Sequence, residues 1–148
     1  LSDQHGYARF VALQPHYNLL VRSEYEGPLA ELCAREGLSC LPYYSLAAGF
    51  LTGKYRSAEA AKGAARETRL AGYISDRAWR VLSAMDAVVA RRGVPHVAVA
   101  LAWLLAQPNV VAPIASASRV AQVEGLLAAA RTTLTAEDIA ELGAASNP

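Results

Sequence analysis

At 148 residues, 53% of them hydrophobic and 18% charged, the chain has the size and composition of a single globular domain. Fourteen Lys and Arg oppose thirteen Asp and Glu, a formal charge of +1, so no overall field draws it to nucleic acid or to an acidic membrane surface. Its longest apolar runs, such as VAVALAWLLA at 97–106, fall short of the ~18 to 20 residues a membrane helix needs, and no signal pattern opens it; a cytoplasmic location is expected.

In chain order, residues 1–6 are too short and polar for an assignment of their own. RFVALQ at 9–14 is a compact apolar run stopped by Pro15, as a parallel strand would be. EGPLAELCARE at 26–36 carries Leu29, Leu32 and Cys33 at helical spacing, with Pro28 near its start and Gly37 as its stop. GLSCLPYY at 37–44 is the next strand, so the intervening helix is a crossover and the pairing parallel. Cys33 and Cys40 match no metal spacing and make no disulfide framework; reduced, buried thiols are expected.

Residues 53–73 hold Lys54, Arg56, Lys62, Arg66 and Arg69 against only Glu59 and Glu67, and show no sustained period. They read as a basic loop, and so long a loop is usually functional or mobile. Trp79, Val81, Leu82, Met85, Val88 and Val89 mark an amphipathic helix over 75–92 with Ser75 or Asp76 as N-cap and Gly93 at its end. The nearly apolar helix at 96–106 should be buried. VVAPI at 110–114 is the third strand, SASRVAQVEGLLAAA gives the helix after it, and Thr135 with Asp138 announces a last helix to about residue 145. There is no internal repeat beyond the alternation of strand and helix.

The stretch 41–56, LPYYSLAAGFLTGKYR, combines an aromatic pair, small residues and a basic end, a segment able to run along an elongated anion. It strongly resembles the loop after the seventh strand of aldo/keto reductases, the NADPH-dependent oxidoreductases built on a (β/α)8 barrel. FVALQPHYNLL at 10–20 and VALAWLLAQPNVVAPIASASRVAQVEGLL at 99–127 extend the resemblance over nearly the whole chain. A complete barrel usually takes about 250 residues. The resemblance therefore implies one partial domain over 1–148: an α/β C-terminal part of a TIM barrel, about three parallel strands with crossover helices plus a C-terminal helix.

The resemblance also assigns residues. Gln14, whose carboxamide can match another edge to edge, would hold the nicotinamide amide, and Tyr43 would stack on the ring. Tyr44, Ser45, Leu46 and Ala47 would lie along the pyrophosphate, where small residues let backbone N–H groups approach an anion; relatives often have Ser-Pro in place of Tyr44-Ser45. Lys54 and Arg66 would meet the phosphates, including the 2′-phosphate of NADP(H), with Arg69 an alternative to Arg66. Ser116, Ser118, Arg119 and Gln122, between strand and helix, match phosphate and adenosine contacts, whereas a Glu-Asn pair of the family is replaced by Gly125 and Leu126. Read alone, Ser-x-Ser-Arg could be no more than a helix cap.

No Ser/His/Asp, paired-carboxylate or metal-ligand constellation is present, and none of His5, His16 and His96 matches the family's catalytic histidine. His16 is either a substrate contact or a plain loop residue. The family's Asp, Tyr, Lys, His set belongs to earlier strands, so the chain is expected to be the cofactor-binding half of an NADP(H)-dependent reductase of aldehydes or ketones. The alternative is a non-catalytic, truncated nucleotide- or protein-binding module. Unpaired strand edges call for a partner, either the N-terminal half or a second copy.

Overall fold

The computed structural model describes residues 1–64 and 66–147. The described residues form α1 (Ser2–His5), β1 (Ala12–Leu13), α2 (Pro28–Glu36), β2 (Ser39–Cys40), a 3-10 segment (Ala47–Thr52), a 3-10 turn (Glu59–Ala61), α3 (Glu67–Ala71), α4 (Asp76–Arg92), α5 (His96–Leu105), α6 (Val120–Ala129) and α7 (Ala136–Ala145).

β1 and β2 pair in parallel, Ala12 opposite Ser39 and Leu13 opposite Cys40, with α2 as the crossover. The expected third strand at 110–114 is not one. That segment meets β2 through a single bridge, Cys40 to Val110, with Val111 N–H donating to Cys40 C=O (3.0 Å) and Ile114 N–H to Pro42 C=O (2.8 Å). β2 therefore stands centrally between β1 and the 110–114 segment. The strands are shorter than 9–14 and 37–44, and at their C-terminal ends Pro15 and Pro42 give the ladder no N–H donor.

The expected basic loop is also partly structured, containing the Glu59–Ala61 turn and α3. Ala61 and Leu70 are buried anchors, too few to leave a period in the sequence. Both belong to one hydrophobic core, of which α4 and α5 supply the largest shares. Every residue of α5 from Ala98 to Leu104 is buried, led by Trp103 and Leu104, and α4 adds Val81, Leu82, Met85 and Val88. Each such side chain contributes roughly 1.5 to 3 kcal/mol by leaving water. Cys33 and Cys40 are free, fully buried thiols within it.

Caps fall where the residue types put them. Ser75 accepts from Ala78 N–H at the start of α4, Thr135 and Asp138 form a reciprocal box on α7, and Gly93 ends α4 in the left-handed region. Burial works against the Asp138 charge, but the Thr135 N–H and hydroxyl and the Arg91 and Arg92 guanidinium groups outweigh it and lower the carboxyl to a pKa of about 2. α7 is thereby fastened to α4. Arg22, after β1, grips Glu26 with two hydrogen bonds and donates to Gly143 C=O and Ser146 Oγ near the α7 C-terminus. Among the described residues no single helix is long and apolar enough to cross a membrane.

Candidate functional site

The turn after β2 has an unusual backbone. Tyr44, Ala47 and Ala48 have φ of 51°, 48° and 55°, and Gly49 has 99°. Left-handed conformation costs a non-glycine residue roughly 1 to 2 kcal/mol, so something must hold this turn. Much of the hold is Asn18, fully buried, whose Oδ1 accepts from Leu20 N–H (2.8 Å) and Val21 N–H (3.0 Å) while Nδ2 donates to Tyr44 C=O (2.9 Å). One carboxamide ties the loop after β1 to the turn after β2. Ser45, also buried, donates to Pro42 C=O (3.0 Å), and Ala47 N–H donates to Tyr44 C=O (2.8 Å).

The turn ends at Gly53, φ 74°, where a Cβ would fall 2.7 Å from the His96 ring. His96 Nε2 lies 2.6 Å from Asp86 Oδ1, and Arg56 binds the same carboxylate through both terminal nitrogens (2.7 and 2.9 Å). Hydrogen bonds from Arg56, opposed by partial burial and joined by His96, hold Asp86 below the usual carboxylate range. The Gly53 to Arg56 segment is thus latched to α4 and α5. Lys54 stands between the latch points, its Nζ 3.7 Å from the Cβ position of Gly49 and 4.6 Å from the Tyr55 ring centre.

Opposite lies the entrance to α6. Gln122 folds back, its Oε1 accepting from Ser118 N–H (2.8 Å), Arg119 N–H (3.2 Å) and Ser118 Oγ (3.3 Å). Between turn and helix entrance is a cleft of about 910 Å3, lined by Tyr44, Ser45, Leu46, Lys54, Arg66, Ser116, Ser118 and Gln122 among others. Arg69 lines it as well, so both candidate arginines reach it. Three cations and no carboxylate stand among its described lining residues, which gives the cleft a positive field. Gly125 and Leu126 form part of its wall, so the place of the family's Glu-Asn pair is an apolar surface.

Four sequence candidates stand off the cleft wall. Ala47 is buried, with its N–H spent inside the turn. Arg119 is the exposed residue preceding α6. Gln14 is exposed just past β1, and Tyr43 is 38% exposed at the same strand end, its N–H donating to Pro15 C=O. One face of Tyr43 is covered by His16, the rings stacked at 5.2 Å and 20°. His16 Nε2 is 2.8 Å from the Tyr73 hydroxyl, so His16 is a packed residue of an aromatic cluster. Burial raises Tyr73 to a pKa of about 12, and it keeps its proton at neutral pH. Sequence reasoning missed Asn18 as the clamp, although it lies within the diagnostic FVALQPHYNLL run; it also missed the cleft residues Thr52 and Tyr55, both inside the 41–56 stretch.

A strand end carrying a positive-φ turn, set against a helix entrance, defines an α/β protein with a basic cleft at the carboxyl ends of its strands. The model of the aldo/keto reductase family matches residues 2–147. The chain is 31% identical over 146 residues to Protein tas of Escherichia coli, covering 97% of this chain and 42% of that protein. It is 32% identical to Aldo-keto reductase AMT2 of Alternaria alternata, with 95% and 38% covered, and 30% identical to an aldo-keto reductase of Babesia bovis, with 95% and 52% covered. The chain belongs to the aldo/keto reductase family, whose fold is a (β/α)8 barrel, and it spans about two fifths to one half of the length of these relatives.

Proposed function

We propose that the cleft binds NADP(H) and that the chain is the cofactor-binding part of an oxidoreductase acting on aldehydes or ketones. The observation that carries this reading is the convergence of Lys54, Arg66 and Arg69 with the Ser116 to Gln122 segment on one cleft without a carboxylate among its described lining residues. The residues fit the group. Arg66 can take a phosphate through a planar fork and Lys54 as a point charge, while Tyr43 offers an exposed ring at the strand ends. Bound there, the cofactor would supply the hydride.

The chain's own residues orient and neutralise. Tyr44, Ser45 and Leu46 bring backbone to the cleft wall, and Asn18 and the Arg56–Asp86–His96 latch keep that wall in place. The proton for the carbonyl oxygen would come from outside these 148 residues, from the other part of a barrel paired with this chain. Exposed apolar positions along the strand edges support such pairing: Phe10 is 86% exposed, Val11 75% and Val111 56%. The same edges favour the second reading, a module that binds nucleotide and another protein chain without catalysis.

Fluorescence titration with NADPH and separately with NADH tests the proposal. Trp79 is the reporter, because its ring packs 5.1 Å from Phe50 of the Ala47–Thr52 segment. Saturable binding favouring NADPH, weakened in Lys54→Ala and Arg66→Ala, is the expected result. A folded sample that binds neither dinucleotide would sink the reading.

A further inference from the structure

A second cavity of about 650 Å3 lies between the loop after β1 and the segment from α3 to the start of α4. It shares Tyr44 and Arg69 with the large cleft, so these two side chains are a common wall. His16, Tyr73 and Tyr44 give it three ring surfaces, and His16 links it to Tyr43 through their stack. Its charge is one-sided, with Arg22, Arg69 and Arg77 on the wall and no carboxylate among the described lining residues.

The three arginines are not equivalent. Arg22 is neutralised by Glu26, and Arg77 is held by Leu20 C=O (2.8 Å) and Ser146 C=O (3.4 Å). Among the described residues Arg69 forms no ion pair; its guanidinium leans over the Tyr44 ring at 5.7 Å. Glu24, whose Oε1 is 3.5 Å from His16 Nδ1, is 58% exposed and directed largely to solvent. The cavity thus offers one available planar fork, a second fixed positive charge and a ring-lined body. A fork matches a carboxylate through two parallel hydrogen bonds, and the rings match a flat apolar frame.

The geometry points to this cavity as the substrate-side subsite, taking a flat or aromatic carbonyl compound that carries a carboxylate, with Arg69 as its anchor. Its role as a substrate subsite rests on the cofactor reading; its preference for an aromatic carboxylate does not. Substrate would enter with its carboxylate on Arg69 and its carbonyl toward the His16–Tyr43 stack.

The test is ligand-observed NMR of the purified protein with benzoate and, as its neutral counterpart, benzamide, each with and without saturating NADPH. Benzoate is expected to bind about ten-fold tighter than benzamide, the worth of one charge-assisted pair, and to stay bound beside NADPH. Arg69→Gln should bring benzoate down to the benzamide level. Gly72→Phe fills the cavity from a position with φ of −66°, where a Cβ meets only Arg69 C=O at 3.6 Å; it should abolish benzoate binding and leave the NADPH titration unchanged. Equal affinity for benzoate and benzamide, or displacement of benzoate by NADPH, overturns the proposal. Preferential benzoate binding by a protein that binds no NADPH supports the carboxylate site and overturns the cofactor reading alone.

Discussion

On one wall of the cleft, residues 44–53 have little freedom. Three non-glycine residues sit at positive φ, a buried asparagine holds the first of them by its carbonyl, and His96 fills the space beside Gly53. On the other wall, residues 116–122 are exposed except for hydrogen bonds they make to themselves through Gln122. The first wall stores strain and is held by distant parts of the chain; the second is a local structure any helix entrance can form. Strain of this kind persists only where surrounding contacts over-determine it, which is why it singles out this turn as a candidate site. A ligand spanning both walls meets one surface already shaped and one that must open, since the Ser118 and Arg119 N–H groups are occupied by Gln122.

The sharpest break in that contrast is Asn18→Ala. It orphans Leu20 N–H and strips one partner each from Val21 N–H and Tyr44 C=O, which keep Asn18 C=O and Ala47 N–H; a loss of about 2 to 4 kcal/mol is expected in urea unfolding, along with at least ten-fold weaker NADPH binding. Acid is the control that should act on neither wall selectively. The Asp138 carboxyl has a folded pKa depressed from 3.8 to about 2, so its stabilisation is fully present above pH 4 and lost as pH falls toward 2. Urea midpoints over that window should drop in the native protein and drop less in Asp138→Asn. Gly53→Ala forces a Cβ against His96 at a positive φ and should cost about 1 to 3 kcal/mol; an unchanged midpoint would refute the latch.

Smaller effects separate binding from stability. Lys54→Ala should weaken NADPH about ten-fold and leave the unfolding midpoint within about 0.5 kcal/mol, because Lys54 is exposed and its Nζ lies over the Tyr55 ring at 4.6 Å. Gln122→Ala is the finest probe. Losing the cap contact should cost about 0.5 to 1 kcal/mol of stability, yet it frees two N–H donors. Inorganic phosphate should therefore bind Gln122→Ala more tightly than the native chain, and an equal or weaker affinity by calorimetry would show that Gln122 is not an occupant of that anion position.

The helices were legible because each carries its signal within a few turns: the stripe of α4, the near-uniform apolarity of α5, and the caps at Ser75, Gly93, Thr135 and Asp138. The diagnostic stretches at 10–20, 41–56 and 99–127 likewise fixed the family from sequence order alone, since a motif is a local pattern of residue types. Tertiary structure decided what local pattern cannot encode. Whether 110–114 becomes a strand depends on hydrogen bonds to β2 across ~70 residues of chain. That Asn18 governs the turn at Tyr44, that His16 packs on Tyr43 and Tyr73, and that Arg69 faces two cavities are facts of side chains meeting across the fold. Contacts between residues distant in sequence exist only once the backbone between them is folded.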